Sequence, residues 1–317
     1  MNELVVVGQP DELIKNEPSI ESVVDLFVKS YLAENTKLAY SKDVRQFLQY
    51  CKDSSFRIYH LCDFQSQHLA QYRDFLLHTA KLEANSVLRK LVAARALMRW
   101  SCNEGIIERN PFLNVQLPRA KQISSTQDFT DLEVQKILSL PPSWLPSGSL
   151  HHLVLILLFY IGLRKRELVN IKLKDMYDQG AHRVLRINGK GSKFRQVPLT
   201  PIIQGAIDRY MGISGKTFTP EDYLLKPIRN NRSGIIEKQL HVSSIDWIVS
   251  HYTAKARIKK RVSPHSCRAT VVGHLLDQKI PIRDIANLLG HSNIQTTAIY
   301  DKRKKDLDKS AAYKVHY

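Results

Sequence analysis

The chain has 317 residues, 43% of them hydrophobic and 24% charged, an ordinary balance for a globular protein with enough apolar material for two cores. Its 47 Lys+Arg against 30 Asp+Glu leave a formal net charge of +17, which points to a polyanionic partner. A membrane surface does not fit: there is no basic amphipathic helix or lipidation signal, and the longest apolar stretch, Leu153 to Leu163, covers only eleven residues. Nucleic acid is the expected partner.

In chain order, residues 1–18 read as a short tail, without the basic run that opens a signal peptide. Residues 19–109 read as successive helices. Phe27, Tyr31 and Leu32 fall on one face, and Asn35 or Thr36 is the expected cap of a helix through Tyr40, Val44, Phe47, Leu48 and Cys51. A later helix is expected from Asn85 or Ser86, with Leu88, Leu91, Val92, Ala94, Leu97 and Met98 on its apolar side and Gly105 at its end. It also carries Arg89, Lys90, Arg95 and Arg99. A solvated helix face accounts for these four taken alone; with the net charge, they become candidate contacts to DNA phosphates. Residues 110–127 hold two prolines and no helical periodicity, and read as a linker.

A second domain is expected over residues 128–305. Thr130 should cap its first helix, and a buried helix should start near Leu150. A β-hairpin follows: Arg183 to Asn188, a turn at Gly189-Lys190-Gly191, then Phe194 to Leu199. Helices resume at Pro201, again over Val242 to Ala256, and from Ser263 onward with marked breaks. Cys51, Cys62, Cys102 and Cys267 lie far apart, without CxxC or Cys/His ligand spacing, so a reduced cytoplasmic location is expected and a zinc module is not.

Four signals in this domain point to chemistry. In GLRKREL, residues 162–168, Gly162 stops the apolar helix and Arg164 emerges beside it, a stiffly held guanidinium suited to bidentate phosphate contact, with Glu167 placed to orient it. The plainer reading is an arginine at a helix end. The hairpin tip NGKGSKFR projects the Lys190 ammonium between two glycines, although turn lysines commonly serve solubility alone. In SPHSCRAT, residues 263–270, Ser263 suits the N-cap and Pro264 the first helical position. His265 and Arg268 then share a face at the positive end of the helix, a natural anion site. The stretch from His251 to Thr270 holds six Lys/Arg and no Asp or Glu. In IRDIANLLGHSNIQTTAIY, residues 282–300, Gly290 ends one helix, His291 lies in the break, and Ser292 is the expected cap of a helix bearing Tyr300.

GLRKREL, NGKGSKFRQVPL, HSCR and LLGHSNIQTTAIY occur in the order and spacing of the tyrosine recombinase/integrase family, and the chain resembles that family over about residues 20–305. YLAENTKLAYSKDVRQFLQYC is similar to its N-terminal DNA-clamping domain. Cys267, where a larger aliphatic is common, and Ala269-Thr270, where His-Ala is frequent, are mild departures. The resemblance implies a mainly α fold with a small antiparallel β-sheet: a helical N-terminal clamp plus an α+β catalytic domain. It implies a C-shaped clamp on double-stranded DNA, and a homo-tetramer on two sites that is a monomer or weak oligomer when free. Accessory recombination factors are a further expectation. The C-terminal segment 306–317 is either a basic tail or a piece exchanged between protomers.

The same resemblance makes Tyr300 the nucleophile, Arg164 and Arg268 the phosphate-holding arginines, Lys190 the general acid, His265 an aid to proton transfer and His291 a phosphate ligand. Lys193, Lys259, Lys260 and Arg261 join Arg89, Lys90, Arg95 and Arg99 as candidate DNA contacts. A phenol attacks phosphorus when a cationic site stabilises its phenolate and the charge developing on the phosphate. No cofactor is expected, and no carboxylate cluster suited to Mg²⁺ accompanies these residues. Two other readings compete: a type IB topoisomerase-like nicking-closing enzyme, and a catalytically inactive DNA-binding relative.

Overall fold

The computed structural model describes residues 18–54, 56–119, 126–189, 194–229, 234, 236–291 and 293–299. The chain divides into two compact units, Met1–Gln122 and Ile123–Tyr317, the division falling inside the stretch 110–127.

The first unit is helical: α1 (Ile20–Lys29), α2 (Glu34–Asp53), α3 (Ser66–Asp74), which runs on into a wider π turn at Phe75–Thr79, and α4 (Ala84–Asn103). Apolar residues at helical spacing meet in one core, where Val23, Phe27, Val44, Phe47, Leu91 and Leu97 are fully buried. Phe47 packs against Phe64, Tyr72 and Phe112, with ring centroids 5.5, 5.2 and 5.6 Å away.

Three local expectations are corrected here. Leu32 lies beyond the end of α1 and is fully exposed, because Ser30 closes the helix before it. Neither Asn35 nor Thr36 caps α2; the helix begins at Glu34, so both sit in its first turn. On α4, Val92 faces outward while the small Ala93 takes the buried position. Gly105, at φ +71°, follows the end of α4 in the left-handed region.

The second unit packs α5 (Asp131–Ser139), α6 (Pro146–Tyr160), α7 (Lys165–Val169), α8 (Pro201–Ile213), α9 (Val242–Lys255), α10 (Pro264–Asp277), α11 (Ile282–Leu289) and α12 (Ile294–Ala298) with a small sheet. Helix α6 is apolar on every side, so it runs through the core, with Leu153, Val154, Leu155, Leu157 and Leu158 fully buried. Thr130 caps α5 by accepting from the Glu133 N–H at 3.3 Å, and Glu133 returns the bond to the Thr130 N–H at 2.8 Å.

The sheet is antiparallel in the order β1 (Met176–Gln179), β2 (His182–Asn188), β3 (Phe194–Pro198). The hairpin of the sequence reading is its β2–β3 pair, with Leu185 opposite Val197 and Asn188 opposite Phe194. Strand β1 is an addition: its run of four residues is mixed in polarity, and it forms on the partner that β2 provides. No described helix is long and apolar enough to cross a membrane.

Candidate active site

Two glycines shape the site. Gly162 (φ +70°) follows the end of α6, and Gly290 (φ +67°) ends α11; both hold a left-handed conformation that other residues adopt at a cost. These turns aim two backbone carbonyls at one point, and Arg268 fills it. Its guanidinium donates from Nη1 to the Gly162 carbonyl and from Nη2 to the Leu289 carbonyl, each at 2.6 Å. Leu289 is the last residue of α11, where the helix dipole favours a cation. Arg268 is 1% exposed, so its plane is fixed by the fold before any ligand arrives.

Beside it lies a second charged junction, built on Glu167. Arg164 stands at the N-terminus of α7, and the Glu167 carboxylate accepts its backbone N–H at 2.9 Å and its Nη1 at 2.8 Å. The same carboxylate accepts from Arg195 of β3, Nη2 at 2.9 Å and Nη1 at 3.2 Å. Arg195 also donates from Nε to the Leu288 carbonyl at 2.8 Å. Burial alone would raise the Glu167 carboxyl; the bonds from Arg195 and Arg164 outweigh it and hold the group below the usual carboxylate range. Arg164 keeps 41% of its side chain exposed, against 12% for Arg195 and 7% for Glu167. Arg164 is therefore the most accessible member of this junction.

Two imidazoles complete the cluster. His265 lies in the first turn of α10, where the Ser266 hydroxyl accepts from the Ser263 N–H at 3.1 Å. Its edge reaches solvent, while partial burial and the charges of Arg268, Arg164 and Lys165 push it below the ordinary histidine range. His291 follows Gly290, and its Nδ1 is 2.8 Å from the hydroxyl of Thr297, a fully buried residue of α12. Burial, then Arg268, Arg164 and Arg195, lower it to about 4. Both shifts favour the uncharged imidazole, which can accept a proton or donate one ring N–H.

Arg164, His265, Arg268 and His291 are thus brought together from the start of α7, the start of α10 and the α11–α12 break. Lys190, Lys193 and Tyr300 lie outside the described residues; β2 ends at Asn188, β3 begins at Phe194, and α12 ends at Ala298. Asn293, not Ser292, caps α12, its side chain accepting the Gln295 N–H at 2.8 Å. Arg195 was missed as a site residue. The strand period held the signal: Arg195 is paired with buried Ile187 and lies two residues from buried Val197, so it points inward and needs a partner.

The candidate DNA contacts divide. In the first unit, Arg89 and Arg99 are exposed, Arg89 bonded to the buried carboxylate of Asp43. An open groove between α2 and α4 is lined by Asn35, Thr36, Tyr40, Asp43, Asn85 and Arg89. Lys90 turns inward, against expectation, its ammonium on Asp43 and Gln46. Arg95 is partly buried and donates to the Val115 carbonyl. In the second unit, Lys259 and Arg261 are exposed. Lys260 is held by Glu133 at 2.6 Å and the Asp128 carbonyl at 3.1 Å, so it ties the start of α5 to the segment before α10. Among the described residues, no group of three His, Cys, Asp or Glu is arranged to hold a metal ion.

Residues 127–306 match the Phage integrase family, and residues 23–105 match the Phage integrase N-terminal SAM-like domain. A tyrosine recombinase of Pseudothermotoga lettingae is 32% identical over 271 residues, spanning 85% of this chain and 87% of the relative. The tyrosine recombinase XerD of Pseudomonas aeruginosa is 30% identical over 292 residues, spanning 89% and 92%. Among solved structures, a lambda integrase tetramer bound to a Holliday junction superposes with a TM-score of 0.70 at 17% identity, covering 93% of this chain and 81% of that one. XerH bound to a palindromic difH substrate gives 0.67 at 18% identity, covering 88% and 80%, and these two show likeness of fold. The chain belongs to the phage integrase family, the tyrosine recombinases, which cleave and rejoin DNA through a tyrosine nucleophile.

Proposed function

We propose that this chain is a site-specific recombinase in which Tyr300 attacks a DNA phosphorus held by Arg164 and Arg268. The observation that carries this is the grouping of two guanidinium groups and two imidazoles from three separate elements of one compact unit. In the step, the bond from the Tyr300 oxygen to phosphorus forms and the bond from phosphorus to the 5′-oxygen breaks. Lys190 gives its proton to that oxygen, and His265 takes the phenol proton. The products are a 3′-phosphotyrosyl link and a free 5′-hydroxyl. The bond energy stays in the covalent link, so attack by the 5′-hydroxyl of a partner strand reseals the DNA without ATP.

Each group suits its role. Arg268 is oriented by two carbonyls before substrate binds, so little reorganisation opposes stabilisation of the negative charge developing on the phosphate. Arg164 is oriented by Glu167 yet exposed, so it can take the other non-bridging oxygen. His291, neutral and held at Nδ1 by Thr297, offers its Nε2 edge as a phosphate donor. The groove lined by Asn35, Asn85 and Arg89, with Arg99, Lys259 and Arg261, supplies DNA contacts.

The reading includes assembly as a tetramer on two sites, in the cytoplasm, and the likeness to a lambda integrase tetramer bound to a Holliday junction supports the assembly. The type IB topoisomerase reading, a nicking-closing enzyme that works without pairing two sites, is not favoured, because the SAM-like domain and the recombinase relatives span most of the chain. A nicked suicide substrate tests the reading. Wild type should accumulate a covalent protein–DNA adduct, and Tyr300→Phe should form none while still binding DNA. Adducts persisting in Tyr300→Phe would reject Tyr300 as nucleophile.

A further inference from the structure

We propose that Lys165, held in place by Asp246, is a further DNA-backbone contact of the active site and binds a phosphate adjoining the one taken by Arg164. The proposal rests on the reading of Arg164 as a phosphate ligand. Lys165 opens α7, directly after Arg164. Its ammonium donates to the Asp246 carboxylate of α9, at 2.9 Å to Oδ1 and 2.7 Å to Oδ2. After burial, the charges of Arg268, Arg164 and then Lys165 lower the His265 imidazole, so the ammonium belongs to the same group of cations. Asp246 is the only Asp or Glu from Val242 to Leu276, a stretch that exposes Lys255, Arg257, Lys259 and Arg261. A carboxylate there opposes DNA unless a cation covers it, and Lys165 covers it.

The pair is built for a ligand more than for the fold. Its side chains are 38% and 46% exposed, and an ion pair so open to water adds little to stability. Lys260 differs, since Glu133 and the Asp128 carbonyl tie it into the domain. An ammonium carries three N–H donors, and the two oxygens of Asp246 take two, which leaves one to meet a phosphate oxygen. Anchoring the far end of a long side chain also lowers the conformational entropy lost when it binds. A compact point charge suits a neighbouring, non-reacting phosphate, while the planar arginines take the bidentate contacts at the reacting one.

The test measures equilibrium binding to a duplex in which single phosphates are replaced, one at a time, by neutral methylphosphonates. Wild type, Arg164→Gln, Lys165→Met and Asp246→Asn are compared at every position, with circular dichroism expected to show the last two folded as wild type. Neutralising a contacted phosphate should weaken wild type about 10-fold and leave the variant lacking that contact unaffected. Arg164→Gln marks one phosphate in this way, and Lys165→Met should mark an adjoining one. Lys165→Met should also lessen the slope of log K against log salt by about 0.9, the share of one phosphate. In Asp246→Asn the ammonium keeps its charge but loses its anchor, so the effect at that phosphate should shrink. An ordinary surface ion pair gives the same losses in wild type and Lys165→Met at every phosphate, with a wild-type salt slope; that result would overturn the proposal. So would an effect unchanged in Asp246→Asn, or a phosphate marked by Lys165→Met far from the one marked by Arg164→Gln. If Arg164→Gln marks no phosphate, the reading of Arg164 fails, while a phosphate marked by Lys165→Met still establishes the lysine contact.

Discussion

Glu167→Ala strikes the junction on which two arginines depend, and its cost follows from the bonds lost. Arg164 is 41% exposed, so water takes over much of its share, leaving about 0.2–1 kcal/mol. Arg195 is different: it is 12% exposed and loses both bonds to the carboxylate, keeping the one to Leu288. Removing one partner of a buried pair costs about 3–5 kcal/mol, and the remaining bond places this case at the lower end. At roughly 2–4 °C per kcal/mol for a unit of this size, the catalytic unit should melt about 10 °C lower. The pH dependence has a definite sign. The folded Glu167 carboxyl lies below its ordinary 4.5, so it contributes stability above that pH, lost as pH falls through the folded value. The gap between wild type and Glu167→Ala should be constant from pH 7 to about 5 and shrink in more acid solution. Thermal unfolding followed by circular dichroism at stepped pH measures this. A drop of less than about 2 °C, or a gap that widens in acid, would contradict this role for Glu167.

Four further outcomes follow. Gly162→Ala places a methyl 2.7 Å from the Leu289 Cδ2 at φ +70°, so it should cost about 2–4 kcal/mol in urea unfolding and weaken cleavage by moving a carbonyl that orients Arg268. Thr297→Val keeps the shape but removes the hydroxyl at His291 Nδ1; adduct formation should slow about 10-fold, and Thr297→Ser should restore it. His291, lowered to about 4, binds fewer protons than the unfolded chain between about 6.5 and 4. Stability should therefore fall with pH across that window, less so in His291→Gln. Lys260→Met should lower the melting temperature by releasing Glu133 and the Asp128 carbonyl, while the salt dependence of DNA binding stays as in wild type.

Much of this was legible in the residues because local chemistry and tertiary role coincide. Gly162 and Gly290 are read as helix stops from sequence, and the left-handed turns they make are what aim two carbonyls at Arg268. The uniformly apolar run of α6 could only be buried, which places Arg164 just beyond a rigid element. The less legible parts depend on partners distant in sequence. Lys90 and Lys260 look like any surface lysine until Asp43 and Glu133 are brought beside them. Strand β1 has no pattern of its own and forms because β2 offers an edge. Arg195 lay within a recognised motif, yet its role depends on Glu167, 28 residues earlier, and on Leu288, 93 residues later.

Strand cleavage as proposed requires Tyr300 to join the phosphorus held by Arg164 and Arg268. Trapping wild-type protein on a suicide substrate, digesting the adduct and sequencing the nucleotide-bearing peptide by mass spectrometry tests this most directly. A 3′-phosphate carried on Tyr300 is the predicted result. Attachment at Tyr177, Tyr313 or Tyr317 would contradict it.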